Sequence, residues 1–144
     1  MRKFILLSAV SFGILSCTTQ NITQHMQSPK EWKHSTNIYE VNVRQYTQQG
    51  TFKAFEKEMP RLKNMGVKTL WFMPITPIAQ QGKKGTLGSP YAAADYTSIN
   101  PEFGTLEDFK HMVTEAHRLG FNVIIDWVAN HTGWDHVWTK SHPE

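Results

Sequence analysis

The stretch FNVIIDWVANHTGWDH, Phe121–His136, decides how the whole chain is read. Val123, Ile124 and Ile125 form a β-branched apolar run of the kind that fills a strand covered on both faces. The run ends on a carboxylate, Asp126, and an amide and an imidazole follow at Asn130 and His131. Polar groups gathered at the end of a buried strand point to a site. Parallel α/β sheets present ligand-binding groups at the carboxyl ends of their strands.

Working outward, the rest of the chain supports such a sheet. Thr105 before Leu106 is a helix N-cap, and Leu106, Phe109, Met112, Val113, Ala116 and Leu119 recur as one helical face that Gly120 ends. Upstream, VKTLWFM, Val67–Met73, is a second continuous apolar run, stopped by Pro74. Phe52, Phe55, Met59, Leu62 and Met65 make another helical stripe, which Pro60 is expected to break, itself starting the second piece, and which Gly66 ends. Asn37–Arg44, NIYEVNVR, alternates as a strand. The order is strand, helix, strand, long loop, helix, strand, which predicts an α/β fold with a parallel sheet. Right-handed crossovers would bring Arg44, the Pro74 loop and Asp126 to one side. The loop from Pro74 to Gly104 has no long period, and connections of about 30 residues are uncommon unless they carry function.

Four segments together resemble the alpha-amylase superfamily, glycoside hydrolase family thirteen. DWVANH (Asp126–His131) is similar to that family's first conserved region. GVKTLWFMPITPI (Gly66–Ile78) resembles its second barrel strand, and SPYAAADYTSINPEFGTLEDFKHMVTEAHRLG (Ser89–Gly120) the following loop and helix. NIYEVNVRQY (Asn37–Tyr46) resembles its first strand. The resemblance implies the N-terminal portion, about three strands, of a TIM-type (β/α)8 barrel. It implies an enzyme acting on alpha-linked glucans such as starch and maltooligosaccharides.

The resemblance also implies roles. Tyr91 matches the aromatic residue that stacks on the sugar at the cleavage position, His131 a histidine that hydrogen-bonds the same sugar, and Asp126 an acid that supports the site. Asn130 matches a position whose oxygen often ligates a structural calcium. The plain alternatives are loop packing for Tyr91, a structural imidazole for His131 and a turn acid for Asp126. A zinc constellation of His131, Asp135, His136 and His142 competes with this reading, but its spacing fits no usual ligand pattern.

Such enzymes need a nucleophile and an acid/base, with carboxyl groups about 5–5.5 Å apart for retention. No segment of this chain matches those motifs or the family's third acid, so no catalytic residue is assigned. Closing an α/β barrel takes on the order of 200–250 residues. The chain is therefore expected to be an incomplete barrel, 37–144, lacking its catalytic acids. A non-catalytic carbohydrate-binding or assembly lipoprotein derived from the same fold is the alternative.

The N-terminus reads as an export signal. Arg2 and Lys3 precede an apolar stretch, Phe4–Leu15, too short for a mature membrane span, which needs about 20 residues. ILSC, Ile14–Cys17, resembles a lipobox, so residues 1–17 are expected to be a lipoprotein signal with Cys17 lipidated. A polar tether, 18–36, would follow, and the protein would sit on the membrane of a bacterial cell envelope. With one cysteine there is no internal disulfide. The formal charge of +3 falls to about +1 (3 − 2) once Arg2 and Lys3 are removed, which gives no support to a nucleic-acid partner.

Overall fold

The computed structural model describes residues 32–142. Cys17 and the signal expected around it lie outside the described residues. After a 3-10 turn at Trp32–His34, the elements are β1 (Ile38–Val41), α1 (Val43–Tyr46), α2 (Phe52–Glu56), α3 (Met59–Asn64), β2 (Thr69–Phe72), α4 (Leu106–Arg118), β3 (Asn122–Ile125) and α5 (Val137–Ser141). The strands form one parallel sheet in the order β1-β2-β3. Leu70 and Phe72 of β2 stand level with Val123 and Ile125 of β3.

The core lies between the sheet and α2, α3 and α4. Strand alternation turns Leu70 and Phe72 toward the helices, and both are fully buried, with Phe52, Phe55, Met59, Leu62, Met112 and Ala116. Phe rings form its axis. Phe55 meets Phe72 edge-on at 5.3 Å, Phe72 meets Phe109 at 6.3 Å, and Phe109 meets Phe52 at 5.2 Å. Such pairs add about 0.5–1.5 kcal/mol each beyond their burial.

The punctuation of the sequence is visible in the elements. Pro60 occupies the first turn of α3, where its missing N–H costs nothing, and the stripe is split there as expected. Gly66 and Gly120 take φ of 84° and 83°, a left-handed turn that ends a helix and releases the chain into the next strand. Thr105 caps α4 in a full capping box: its hydroxyl accepts from the Asp108 amide, and Asp108 accepts from the Thr105 amide.

Four expectations need correction. The strand read at Asn37–Arg44 ends at Val41. Val41 and Val43 are both buried, as alternation requires, but Val43 reaches the core from a helical turn closed by the Gln45 amide on the Asn42 carbonyl. Arg44 therefore does not stand at a strand end; it pairs with Glu102 at 2.8 Å. The strand read at Val123–Ile125 as covered on both faces is only partly covered, because among the described residues β2 is its one neighbour in the sheet. Leu106, assigned to the buried face of α4, is half exposed; it sits in the helix's first turn and faces the cleft described below. Ser35 and Thr36, read as the end of a tether, are joined to the sheet: Lys68 donates to the Ser35 carbonyl, and Thr36 shares a 2.6 Å hydroxyl contact with Thr69.

The capping box gives a test. Replacing Thr105 with alanine should lower stability by about 1 kcal/mol, read as a drop in melting temperature. The Asp108 carboxyl is lowered from 3.8 to about 2 by the Thr105 amide, Lys53 and the Thr105 hydroxyl. A carboxylate favoured in the folded state stabilises it above the ordinary value and loses that contribution as pH falls through the folded value. Wild type should thus lose stability between pH 3.8 and about 2 more steeply than Asp108→Asn, by thermal melts across that range.

Candidate active site

Asp126 is the first residue past β3, and its amide continues the parallel ladder by donating to the Phe72 carbonyl at 2.8 Å. Its backbone is fixed by the sheet, so its carboxylate is presented from a rigid point. Tyr91 comes from the long loop, and its hydroxyl donates to Asp126 Oδ2 at 2.8 Å. That bond pushes the Tyr91 phenol above its ordinary range, with burial and the charges of Asp126 and Glu40 adding to it. Two residues 35 positions apart are brought together at the carboxyl ends of β2 and β3, where the parallel topology says a ligand should bind.

They line a cavity of about 480 Å³. Ligand pockets commonly span about 300–1,000 Å³. Pro74, Ile75 and Thr76, leaving β2, form one wall, and Ile125–Val128, leaving β3, form another. Tyr96, Trp127, Trp138 and Leu106 complete an aromatic and apolar surround. Trp127 is 66 % exposed and Trp138 46 %, so both keep ring surface open to a partner. Asp126 is the one carboxylate among the lining residues.

His131 and Asn130 stand elsewhere. Both are exposed and neither lines the cavity. The Asn130 amide nitrogen lies 3.3 Å from His131 Nδ1, and no hydrogen bond joins either residue to Tyr91 or Asp126. Calcium takes about six to eight oxygen ligands. Asn130 offers one, and no carboxylate pairs with it among the described residues.

The residues of the zinc constellation are engaged structurally. Asp135 Oδ2 accepts from the Gln80 and Gln81 amides at 3.1 and 3.2 Å, which holds its carboxyl below the usual range. His136 is buried, and its Nδ1 accepts from the Trp138 amide to cap α5. Asp135 Oδ1 and His136 Nε2 make no protein hydrogen bond, yet among the described residues no three His, Cys, Asp or Glu side chains gather.

The long loop is firmly held. Ala79 and Ala94 donate to the carbonyls of Ala92 and Pro77, each at 2.8 Å, and Gly133 and Val137 donate to those of Ala93 and Ala94 at 2.8 and 3.0 Å. Residues 77–79, 92–94 and 133–137 are thereby laced into one platform behind Tyr91. A Cβ at Gly133 would fall 2.1 Å from that of Ala79, so only glycine permits the approach. Sequence reading missed Tyr96, Trp127 and Trp138 as lining residues; the richness of the chain in aromatics was the available signal.

A three-stranded parallel sheet with crossover helices, carrying a tyrosine–carboxylate pair in an aromatic cavity at the strand ends, defines an arc of an α/β barrel built to face a small ligand. The chain belongs to the alpha-amylase catalytic-domain family, whose model (Alpha amylase, catalytic domain) matches residues 20–144. It is 48% identical to a crystal structure of an alpha-amylase from Lactobacillus plantarum, with a TM-score of 0.73 over 75% of this chain and 26% of that one. It is 39% identical to the trehalose synthase of Thermus thermophilus over 74% of this chain and 11% of that protein. With alpha-amylase 3 of Dictyoglomus thermophilum it shares 32% identity over 96% of this chain and 27% of that protein. The fold is therefore the N-terminal part of a TIM-type barrel, and the chain spans less than a third of the length of each of these relatives.

The tyrosine–carboxylate pair is open to measurement. Asp126 binds the neutral phenol, so the bond persists below the ordinary tyrosine value of 10.0 and is lost as pH rises through Tyr91's higher one. In an ultraviolet titration of phenolate absorbance, Asp126→Asn should move one tyrosine's ionisation to lower pH. An unchanged curve would mean the pair is not formed in solution.

Proposed function

We propose that this chain forms the sugar-facing arc of an enzyme acting on α-linked glucans, and that its cavity holds one glucosyl unit. The observation that carries the reading is the Tyr91–Asp126 pair, fixed at the strand carboxyl ends inside an aromatic cavity. The C–H face of a pyranose is apolar and its rim is hydroxylated. A tyrosine ring covers the first, and ordered polar groups take the second. Asp126 fixes the Tyr91 hydroxyl and with it the outer end of the ring. His131, on the turn just beyond the cavity, offers an imidazole to sugar hydroxyls from outside.

Binding is as far as these residues go. Cleavage through a retained configuration needs a nucleophile facing a proton donor, two carboxyl groups about 5–5.5 Å apart. Among the described residues Asp126 is the single carboxylate on the cavity wall, and it already accepts from Tyr91. We place the nucleophile and the acid/base in sequence beyond this chain. The choice between hydrolysis and transfer to another acceptor belongs with them, as the names of the relatives, amylases and a trehalose synthase, illustrate.

Maltoheptaose titrated into the chain by calorimetry should bind. Tyr91→Ala and His131→Ala should each weaken it by about 1–3 kcal/mol, the cost of a partner left unpaired. Equal affinities for both variants and wild type would sink the assignment. The chain alone should release no reducing sugar from starch at any pH. A longer polypeptide carrying the two further carboxylates should hydrolyse α-glucans with retention.

Asn130 is proposed as one oxygen ligand of a calcium completed by other segments. Export and lipidation at Cys17 are proposed on the sequence alone. More than one acyl chain, each CH₂ worth about 0.8 kcal/mol when buried, gives a stable anchor. Cys17→Ala should release the protein from membranes or block its processing, and a processed Cys17→Ala protein that stays in the membrane fraction would end the lipoprotein reading.

A further inference from the structure

The turn Val128–His131 leads from the end of β3 to the imidazole proposed to touch sugar. Residues 129 and 130 form a turn whose backbone makes no short, well-aligned hydrogen bond across it. The Tyr96 hydroxyl spans the turn: it lies 3.0 Å from the Val128 carbonyl and 2.6 Å from that of His131, at the first and last residues of the turn. One proton is divided between two acceptors.

Tyr96 is itself anchored on both sides. Asp95 Oδ1 accepts from the Thr97 amide and hydroxyl at 2.8 and 2.7 Å, and Ser98 donates to Oδ2, so a clasp spans Tyr96. The Ala94 amide is held by the Pro77 carbonyl. The Tyr96 ring packs against His136 at 5.0 Å, Trp138 at 5.7 Å and Trp127 at 6.1 Å. The hydroxyl is therefore delivered from a fixed base to a turn that its own backbone closes only weakly.

We infer that Tyr96 is a positioning residue whose hydroxyl closes the 128–131 turn and so sets where the His131 imidazole stands. The inference rests on the proposal that His131 contacts sugar. It extends that proposal to a residue that need not meet the hydroxyls His131 binds. Tyr96→Phe removes one oxygen and keeps the ring packing, so it separates the clasp from the aromatic cluster.

Two measurements on the whole chain test it. In ¹⁵N relaxation, backbone order parameters at Ala129–His131 should fall from the rigid value of about 0.85 toward about 0.6 in Tyr96→Phe, with the core helices unchanged. Unaltered order parameters in the turn would overturn the inference. In maltoheptaose titrations, Tyr96→Phe should raise the dissociation constant roughly three- to tenfold, in the range of one net hydrogen bond. It should do nothing further when added to His131→Ala. An equal loss on both backgrounds would show that Tyr96 acts without His131, and would also overturn it. If His131→Ala leaves affinity at wild type, the sugar contact proposed for His131 fails, and the order parameters still decide whether Tyr96 closes the turn.

Discussion

Parallel strands cannot be joined by a tight turn; each crossover must carry the chain back to the same edge of the sheet before the next strand begins. Everything proposed for this protein depends on that return. It sets Phe72 level with Ile125, so Met73–Pro74 and Asp126 leave the sheet side by side. The helices that accomplish it, α2, α3 and α4, also supply the apolar face that Leu70 and Phe72 require. Burial and site placement are thus two results of one topology. The ring contacts along Phe55, Phe72, Phe109 and Phe52 tie the crossovers to the central strand that carries the cavity wall.

Above the sheet the chain solves a different problem. The long loop has no helix or strand of its own, yet its backbone groups are satisfied by pairing across segments: 77–79 with 92–94, and 92–94 with 133–137. Side chains finish the work where backbone pairing stops. Asp135 collects the Gln80 and Gln81 amides, Asp95 clasps Thr97 and Ser98, and Tyr96 closes the turn before His131. Local polar contacts of this sort position a residue without adding much to global stability.

How much of this was legible in the sequence depends on the range of the interaction involved. Pro60, Gly66, Thr105 and Gly120 act on their own neighbours, and each fixed an element boundary that could be read directly. Val43 was misread because burial at alternate positions is satisfied equally by a strand and by the first turn of a helix. The pairing of Tyr91 with Asp126 was not derivable from spacing; it came through resemblance to a family, which placed both residues near one sugar. Their mutual hydrogen bond appeared only in three dimensions. The spacing of Asp135 and His136 spoke against a metal site, but nothing in the sequence reveals that one meets the Gln80 amide and the other caps its own helix. Leu106 was hidden for a related reason: a helical stripe does not say which of its members lie beyond the sheet edge.

The lacing of Gly133 to Ala93 and of Asp135 to Gln80 has a temporal meaning. The Asp135 contacts span 55 and 54 residues, whereas capping boxes and helical turns close over three or four. The entropy of closing such long loops must be spent before any contact rewards it. The platform behind Tyr91 shares that long range with the β2–β3 ladder and with the Phe52–Phe109 contact of the core. Sheet, aromatic core and cavity wall are therefore expected to form together, after the local caps and helical turns.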